Sequence, residues 1–302
     1  MEEASLDKAA LAGWASPAEA AASAAARPRT IIKPHSGWAG IDWREIWRYR
    51  ELLYFLTWRD VKVRYKQTVL GILWAFIQPF VQLVVYTFVF HNLAKIDTEG
   101  TRFENLPYAM VLYAGLIPWM FFRESLSRSS QSVVASPGLI TKVFFPRLII
   151  PLSSVGACLM DFAIYFVILI GLSLYYGVAP AATALAVLPL VVLTICAAVG
   201  VGSFLSALNV AYRDFRYIIP FMVEIWFFLT PVAWVPDKIE GEARWLIYLN
   251  PMAGIVDGFR SAIFGRPFAW GLIAVSLTMT AAAFLVGAIY FRRIERQFAD
   301  LI

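Results

Sequence analysis

Six long apolar segments constrain the fold more than any other feature of this sequence. Each has about the 20 residues that a helix needs to cross a bilayer, or nearly so. They are approximately residues 70–93, 106–122, 148–176, 184–209, 217–235 and 269–291. The second segment is short unless it continues past Arg123 and Glu124 towards Val134. We therefore predict an all-α integral membrane protein whose domain of six transmembrane helices spans residues 70–302.

Composition agrees with a membrane protein and excludes other classes. Hydrophobic residues make up 60% of the 302 residues and charged residues only 16%, whereas soluble domains are nearer half apolar and a quarter charged. The net charge of +5 does not indicate nucleic-acid binding, because the charges cluster at the ends of apolar segments. Cys158 and Cys196 both lie inside such segments, so we interpret them as packing residues rather than a disulfide or metal site.

The chain before the first apolar segment divides into two parts. Residues 1–40 are rich in Ala, Ser and Pro and begin with acidic residues, which predicts a flexible tail and no signal peptide. In residues 41–69, apolar side chains recur at helical spacing beside basic residues and tryptophans, which is typical of an amphipathic helix in the membrane interface. Residues 61–66 alternate with period two, which locally resembles a strand, so we predict an interfacial connector there.

The basic residues predict the orientation. One side carries an excess of basic residues that acids do not offset: Arg44, Arg48, Arg50, Arg59, Lys62, Arg64, Lys66, Arg123, Arg128, Lys142, Arg147, Arg213, Arg216, Arg292, Arg293 and Arg296. On the other side, acids offset Lys95, Arg102, Lys238, Arg244, Arg260 and Arg266. Cytoplasmic loops carry the excess of Lys and Arg, so we expect both termini in the cytoplasm.

A cytoplasmic loop at residues 136–147 has the features of a short docked helix. Ser136 is a good N-cap, Pro137 suits the first helical position, and Pro146 is expected to end the helix. A helix this short is unstable alone. Its apolar face should therefore press against the bundle or a partner protein, with Lys142 and Arg147 at the water-facing edge; this face comprises Leu139, Ile140, Val143 and Phe144.

The outer connection at residues 236–267 also predicts a helix. Asn250 is an N-cap before Pro251, and Gly265 and Pro267 end the helix. One face is apolar and comprises Met252, Ile255, Val256, Phe259 and Ile263. We expect this helix to dip back into the bundle or to lie on its outer rim.

No catalytic constellation is visible in the sequence. The two histidines, His35 and His91, have no neighbours for metal or acid–base chemistry, and no phosphate-binding loop is present. A transporter of this kind would then take its energy from ions or from a separate ATPase chain. Asp161 and Glu224 lie within apolar segments, where an acid is a functional candidate because its burial is costly. We favour the alternative that both are structural partners for Arg, Tyr or backbone groups.

Several strings, in order along the chain, resemble one protein family. They are Trp58-Arg59-Asp60-Val61-Lys62-Val63-Arg64-Tyr65-Lys66-Gln67-Thr68-Val69-Leu70-Gly71-Ile72-Leu73-Trp74, Gln78-Pro79, Ala114-Gly115-Leu116-Ile117-Pro118-Trp119, Leu139-Ile140-Thr141-Lys142-Val143-Phe144-Phe145-Pro146-Arg147, Tyr212-Arg213-Asp214 and Asn250-Pro251-Met252. From about Trp43 to its C-terminus, the chain resembles the transmembrane permease subunit of ABC-2 type polysaccharide exporters. That group includes O-antigen, capsule and teichoic acid permeases, and these strings are most similar to those of the O-antigen permeases.

The resemblance implies a transport subunit and not an enzyme. It implies a six-span homodimer in the bacterial inner membrane, working with two separate ATP-binding cassette subunits that would bind ATP and Mg. Residues 139–147 would be the coupling helix that docks on the ATPase, and we assign Arg213 and Asp214 to the same surface. Helices around Asn250, Pro251 and Met252 would form an outer gate, and the substrate would be a lipid-linked polysaccharide.

Abundant aromatic residues suggest where such a substrate passes. Aromatic faces attract the polarised C–H faces of sugars, and clusters occur in the first, second and fifth apolar segments. We predict that Tyr86, Trp119, Phe122 and Trp226 line the path; alternatively they are lipid-facing or packing residues. The small residues of the fourth segment predict a close helix-packing face: Ala197, Ala198, Gly200, Gly202, Ser203 and Ala207.

Other functions stay open on the sequence alone. Capsule and teichoic acid permeases, and ABC-2 permeases for small hydrophobic compounds, share enough of the pattern to be alternatives. A membrane-bound glycan-modifying enzyme would need acids or a histidine pair at a membrane face, and the outer loops offer only scattered charges.

Overall fold

The computed structural model describes residues 43–66, 71–238 and 247–298, and all regular structure in these ranges is helical. An all-α fold is therefore confirmed for this part of the chain. The predicted tail at residues 1–40 lies outside the described residues. So do residues 67–70, where the predicted interfacial segment meets the first predicted span, and residues 239–246 of the outer connection.

The described ranges contain ten α-helices and three shorter helical elements. The α-helices are α1 (Trp43–Arg48), α2 (Arg50–Lys66), α3 (Leu73–Tyr86), α4 (Tyr108–Ser132), α5 (Pro137–Lys142), α6 (Ile149–Tyr176), α7 (Val187–Ala211), α8 (Phe215–Leu229), α9 (Pro251–Phe264) and α10 (Trp270–Glu295). The shorter elements are a π-helical continuation of α3 (Thr87–Leu93) and the 3₁₀ turns Ala182–Ala186 and Pro236–Lys238.

Four of the described helices are long and apolar enough to cross a membrane: Leu73–Leu93, Ile149–Tyr176, Ala182–Ala211 and Trp270–Glu295. The other two predicted spans fall short of this standard for different reasons. Helix α4 has 25 residues and continues past Arg123 and Glu124, as predicted, but its second half carries charges and serines. Helix α8 has only 15 residues, about 22 Å in length. The count of six spans stays a prediction.

The prediction of a fifth apolar helix reaching residue 235 is wrong in its last six residues. Helix α8 ends at Leu229, and residues 230–235 continue without helix while remaining largely buried. Pro231 explains the break, because a proline disfavours helical backbone in the residue before it and lacks an N–H of its own.

The resemblance of residues 61–66 to a strand is also misleading. These residues form the last turns of α2. The alternation of apolar and polar residues is not informative here, because none of residues 61–66 is buried and no buried face therefore selects the apolar positions. Val63, for example, is 71% exposed.

Helix α4 forms the centre of the bundle. Its residues from Met110 to Phe122 are all buried, and it packs against α6, α7 and α9. The small-residue face of α7 is confirmed as a close packing surface. A Cβ added to Gly200 would lie 2.6 Å from the Phe284 Cα on α10, and one added to Gly202 would lie 2.7 Å from the Ser129 hydroxyl on α4.

Helix α4, about 37 Å long, separates two ends of the bundle. We call the end that holds α5 and residues 212–214 the loop end. We call the opposite end, formed by residues 94–107, residues 230–238 and α9, the far end. The predicted helix after Asn250 is α9, and it is buried on all sides from Pro251 to Ile263. Of the two expected positions, the structure places it in the bundle rather than on the rim.

Candidate functional site

The short helix at the loop end is present but shorter than predicted. Helix α5 begins with Pro137 in the first turn, and Ser136 makes no side-chain capping hydrogen bond. The helix ends at Lys142, and Val143 is extended, so Pro146 does not end it. The backbone is extended at Val143, directly after the helix, and Phe145 two residues later is buried in the bundle.

The predicted apolar face of this loop is divided between the bundle and the surface. Ile140 is 4% exposed and Phe145 is 5% exposed, and both pack in a cluster with Leu148, Phe291 and Phe298. In contrast, Phe144 is 73% exposed and Val143 is half exposed. Thr141 and Lys142 are exposed beside them, and Pro146 is buried. The loop is therefore anchored to its own bundle and presents an aromatic ring next to a cation.

Arg147 does not lie at the water-facing edge, contrary to the prediction. Its guanidinium donates to the backbone carbonyl of Glu295 at the end of α10 and lies 5.8 Å from the Phe298 ring centroid. Its backbone N–H donates to the Glu295 carboxylate at 2.9 Å. The reason for the difference is that α10 ends beside the loop and leaves carbonyls that a cation can satisfy. Arg147 thus braces the loop against the C-terminal helix.

A second exposed turn lies at the same end. The Asn209 side chain near the end of α7 donates to the Ser130 carbonyl of α4 at 3.0 Å, which brings the two helix ends together. The turn that follows α7 contains Arg213 and Asp214, and both are exposed, as is Tyr212. The structure therefore places these two predicted residues on the loop end, as it does α5.

The four predicted path residues gather into one aromatic cluster. The ring centroids of Trp119 and Phe122 are 5.9 Å apart, and those of Phe122 and Trp226 are 5.2 Å apart, edge to face. Phe227 connects the remaining member, with centroids 5.1 Å from Tyr86 and 5.8 Å from Trp119. Trp119 and Phe122 are fully buried, whereas Tyr86 and Trp226 are partly exposed. The four side chains therefore lie together, in contact through Phe227.

The Asn250 motif contacts this cluster directly. The Asn250 carboxamide oxygen accepts from the Met252 backbone N–H and from the Trp226 indole N–H, each at 2.9 Å. Its amide nitrogen donates to the Leu229 carbonyl at 3.2 Å and the Thr230 hydroxyl at 2.8 Å. The predicted N-cap is confirmed, with Pro251 at the first helical position. The same side chain also joins α9 to the end of α8.

A polar network at the far end was missed by the sequence reasoning. The Arg102 guanidinium donates to both Asp257 carboxylate oxygens at 3.1 Å, to Asp237 at 2.9 and 3.1 Å, and to the Pro267 carbonyl at 2.7 Å. Asp257 is fully buried on α9. The available signal was an acid and a base, Asp257 and Arg260, three residues apart in an otherwise apolar helix.

Arg260 is not a loop charge, which corrects its assignment in the orientation argument. It is 1% exposed and donates to the carbonyls of Val111 at 2.9 Å, Trp234 at 3.1 Å and Val232. These carbonyls come from α4 and from the non-helical residues 230–235. A buried cation is stable here because carbonyl oxygens replace water around it.

The two acids within apolar segments differ. Asp161 on α6 pairs with Arg64 and accepts from the Tyr65 hydroxyl, so it is a structural anchor for α2. Burial raises the pKa of the Tyr65 phenol, and nearby Arg64 opposes that shift, so the phenol stays protonated and can donate. Glu224 is exposed on α8. Among the described residues, no group of three or more His, Cys, Asp or Glu is placed to hold a metal.

Comparison with known proteins identifies the family. A family model described as ABC-2 type transporter matches residues 51–264. The chain is 27% identical over 253 residues to the O-antigen export system permease protein RfbA of Klebsiella pneumoniae, covering 83% of this chain and 95% of that protein. It is 28% identical over 264 residues to RfbA of Myxococcus xanthus, covering 86% and 98%.

A more distant relative is named for a different substrate. The polysialic acid transport protein KpsM of Escherichia coli is 22% identical over 246 residues, covering 78% of this chain and 91% of that protein. The family match spans most of the described bundle, including α5, the residues 212–214 turn and the Asn250 motif. The chain is therefore a multi-pass membrane protein that belongs to the ABC-2 type transporter family.

Proposed function

We propose that this chain is the membrane-spanning permease of an ATP-driven exporter that moves a lipid-linked polysaccharide of the O-antigen type out of the cytoplasm. The observation that carries the proposal is the similarity to two O-antigen export permeases along almost their whole length. Two features support the proposal: an aromatic cluster that could contact sugar, and a loop that exposes Phe144 and could bind an ATPase.

The permease would act as a homodimer with two ATP-binding cassette subunits, which would bind ATP and Mg. The loop end supports this assignment, because Phe144 and Lys142 are exposed although Ile140 and Phe145 anchor their loop to the bundle. An exposed aromatic ring beside a cation is well suited to be a hot spot in a protein interface. The loop end would then face the cytoplasm, with Arg213 and Asp214 on the same docking surface.

The path would run beside the aromatic cluster towards the far end. Helix α4, α8 and the four long apolar helices would form six spans, with both termini in the cytoplasm. The 15 residues of α8 are short for a span of about 30 Å. Residues 230–235 follow α8 within the bundle and would lengthen this span. Asn250, Pro251 and Met252 would form part of an outer gate, and Tyr86, Trp119, Phe122 and Trp226 would contact sugar once the path opens.

Capsule polysaccharide is the second candidate substrate, because a polysialic acid transport protein is also a relative. Its lower identity makes it the weaker candidate. Deleting the gene in its own bacterium separates the two. Loss of surface O-antigen with accumulation of lipid-linked polymer inside the cell supports the proposal, and restoration by this chain is the control. Loss of capsule alone would support the second candidate, and normal surface glycans would overturn both.

Replacing the four path residues with Leu tests the path assignment. Leucine keeps apolar packing but removes the aromatic face. We expect normal assembly and ATP turnover with reduced surface polymer, because stacking to sugars is lost. Leucine at the exposed Phe80 of α3 is the matched control. Normal export by all four variants would leave these aromatics as packing residues.

A further inference from the structure

Residues 230–235 present an unusual problem for a membrane bundle. They are not helical, yet Thr230 and Val232 are fully buried and Ala233 and Val235 nearly so. Buried backbone carbonyls need donors, and non-helical backbone at membrane depth is tolerated only where protein groups supply them. We call residues 230–235 the unwound segment.

Side chains from two helices supply these donors. Arg260 on α9 donates to the Val232 and Trp234 carbonyls, and the Tyr108 hydroxyl on α4 donates to the Ala233 carbonyl at 2.7 Å. Arg260 also donates to Val111 on α4 at 2.9 Å. A single guanidinium therefore joins α4, α9 and the unwound segment.

The surroundings leave the guanidinium little freedom. A Cβ added to Gly115 on α4 would lie 2.6 Å from an Arg260 nitrogen, so only glycine leaves room for the cation there. One turn before Arg260, the buried Asp257 is held by Arg102 at 3.1 Å. The glycine and this ion pair fix the position of the guanidinium relative to α4 and α9.

The unwound segment in turn positions the aromatic cluster. It begins four residues after Trp226, and Thr230 donates through its hydroxyl to the Trp226 carbonyl at 2.8 Å. Asn250 holds the Trp226 indole and the Thr230 hydroxyl at the same time. A displacement of the unwound segment must therefore move the Trp226 ring, which packs on Phe122.

We propose that Arg260 is a positioning residue that keeps the far end of the path closed by fixing the unwound segment and, through it, the Trp226 ring. The inference rests on the proposed function, because a path is presupposed. Passage of substrate then requires α9 and the unwound segment to move away from α4 together, with Arg260 and its Val232 and Trp234 carbonyls staying joined.

Thiol accessibility tests this role. Cysteine replaces Ala233 in a chain whose Cys158 and Cys196 are changed to Ala, and a membrane-impermeant maleimide is added to spheroplasts that contain the full complex. The parent should label slowly because residue 233 is buried. Arg260→Met should label at least about tenfold faster, because hydrogen bonds to a charged group are lost. Gly115→Ala should act in the same direction by displacing the guanidinium without removing it.

Two controls isolate the effect. Gly171→Ala adds a Cβ to a helical glycine with no neighbour within 4 Å, and Arg266→Met removes a cation just after α9. Both should label like the parent. In the Arg260→Met complex, α9 and the unwound segment should no longer move together, so surface polymer should fall at least about tenfold. ATP turnover should be kept, a separation that general misfolding would not produce.

The outcomes are distinguishable. Slow labelling and normal export by an assembled Arg260→Met complex overturn the inference and leave the proposed function intact. Should Arg260→Met fail to assemble, Gly115→Ala decides, and parental labelling in that variant also overturns the inference. A parent complex that exports no polymer contradicts the proposed function instead, while faster labelling of the variants still supports the structural role of Arg260.

Discussion

The two ends of the bundle differ in what they bury and what they expose. At the far end, Arg102, Asp257 and Arg260 bind each other or backbone carbonyls, and the chain closes on itself. At the loop end, Phe144 is 73% exposed although its neighbour Phe145 is buried. One end hides charge that could have faced water, and the other exposes an aromatic ring that could have been buried.

This contrast indicates which end of the bundle is suited to bind a partner protein. An end whose polar groups are satisfied internally gains little from a permanent partner, whereas an exposed aromatic ring on an anchored loop is stabilised by one. We therefore interpret the loop end as a permanent docking surface and the far end as a closed element that opens only during transport.

The largest effect is expected from Asp257→Leu. This change leaves the Arg102 cation without its buried carboxylate partner, and breaking a buried pair in this way costs about 3–5 kcal/mol. Equilibrium unfolding of the purified chain measures the loss. Asp237→Leu is the matched control: it removes the other acid bound to Arg102, but this acid is partly exposed, so the cost should stay below about 1 kcal/mol. Equal losses of unfolding free energy in the two variants would contradict the claim that the far end depends on its buried ion pair.

The adjacent residues Phe144 and Phe145 should have opposite effects. Phe144→Ala should weaken ATPase binding by about 2–4 kcal/mol while the unfolding free energy of the chain stays unchanged, because the ring touches little of its own bundle. Phe145→Ala should destabilise the chain by about 3–5 kcal/mol, because it empties a buried site. Binding and unfolding are measured on the same preparations. Parental ATPase affinity in Phe144→Ala would show that this loop is not the docking element.

Charge changes at the loop end should have a smaller effect. Lys142→Glu should slow ATPase association several-fold at low ionic strength, because an exposed cation at an interface rim acts mainly on encounter. Arg147→Glu should instead loosen the loop, because it loses the Glu295 carbonyl and the Phe298 ring. Association kinetics across a salt series separate the two. A Lys142→Glu defect that is independent of salt would speak against an electrostatic role.

The smallest effect is expected from Trp226→Phe. It removes one hydrogen bond to Asn250, worth about 1 kcal/mol, while the Asn250 oxygen keeps the Met252 N–H. Export should persist, because the aromatic face remains. Trp270→Phe, at a highly exposed position, is the control and should change neither stability nor export. Export lost with Phe but retained with Leu would be the reverse of what the path assignment predicts.

Local rules predicted those parts of the structure that depend on neighbouring residues in the chain. Asn250-Pro251 is an N-terminal helix signal whose cap needs only the next two residues, and Gly265 ends the same helix in a left-handed conformation. The small residues of α7 likewise predicted close packing, because only small side chains allow two backbones to approach.

Features that depend on distant partners could not be predicted in this way. Helical spacing placed Phe144 and not Phe145 on the apolar face of the loop helix, whereas the helix ends at Lys142 and the bundle buries Phe145 against Phe291 and Phe298. Arg260 was assigned to a loop because counting charges assumes that cations face water, whereas here the unwound segment supplies carbonyls in place of water.

Reconstitution tests the central claim most directly. The purified chain and its partner ATPase are placed together in liposomes that contain fluorescently labelled lipid-linked O-antigen, and polymer reaching the opposite face is measured with and without ATP. We predict ATP-dependent transfer by the complex, no ATP turnover by this chain alone, and loss of transfer with Phe144→Ala. ATP turnover by the isolated chain, or transfer that needs no ATPase, would contradict the account.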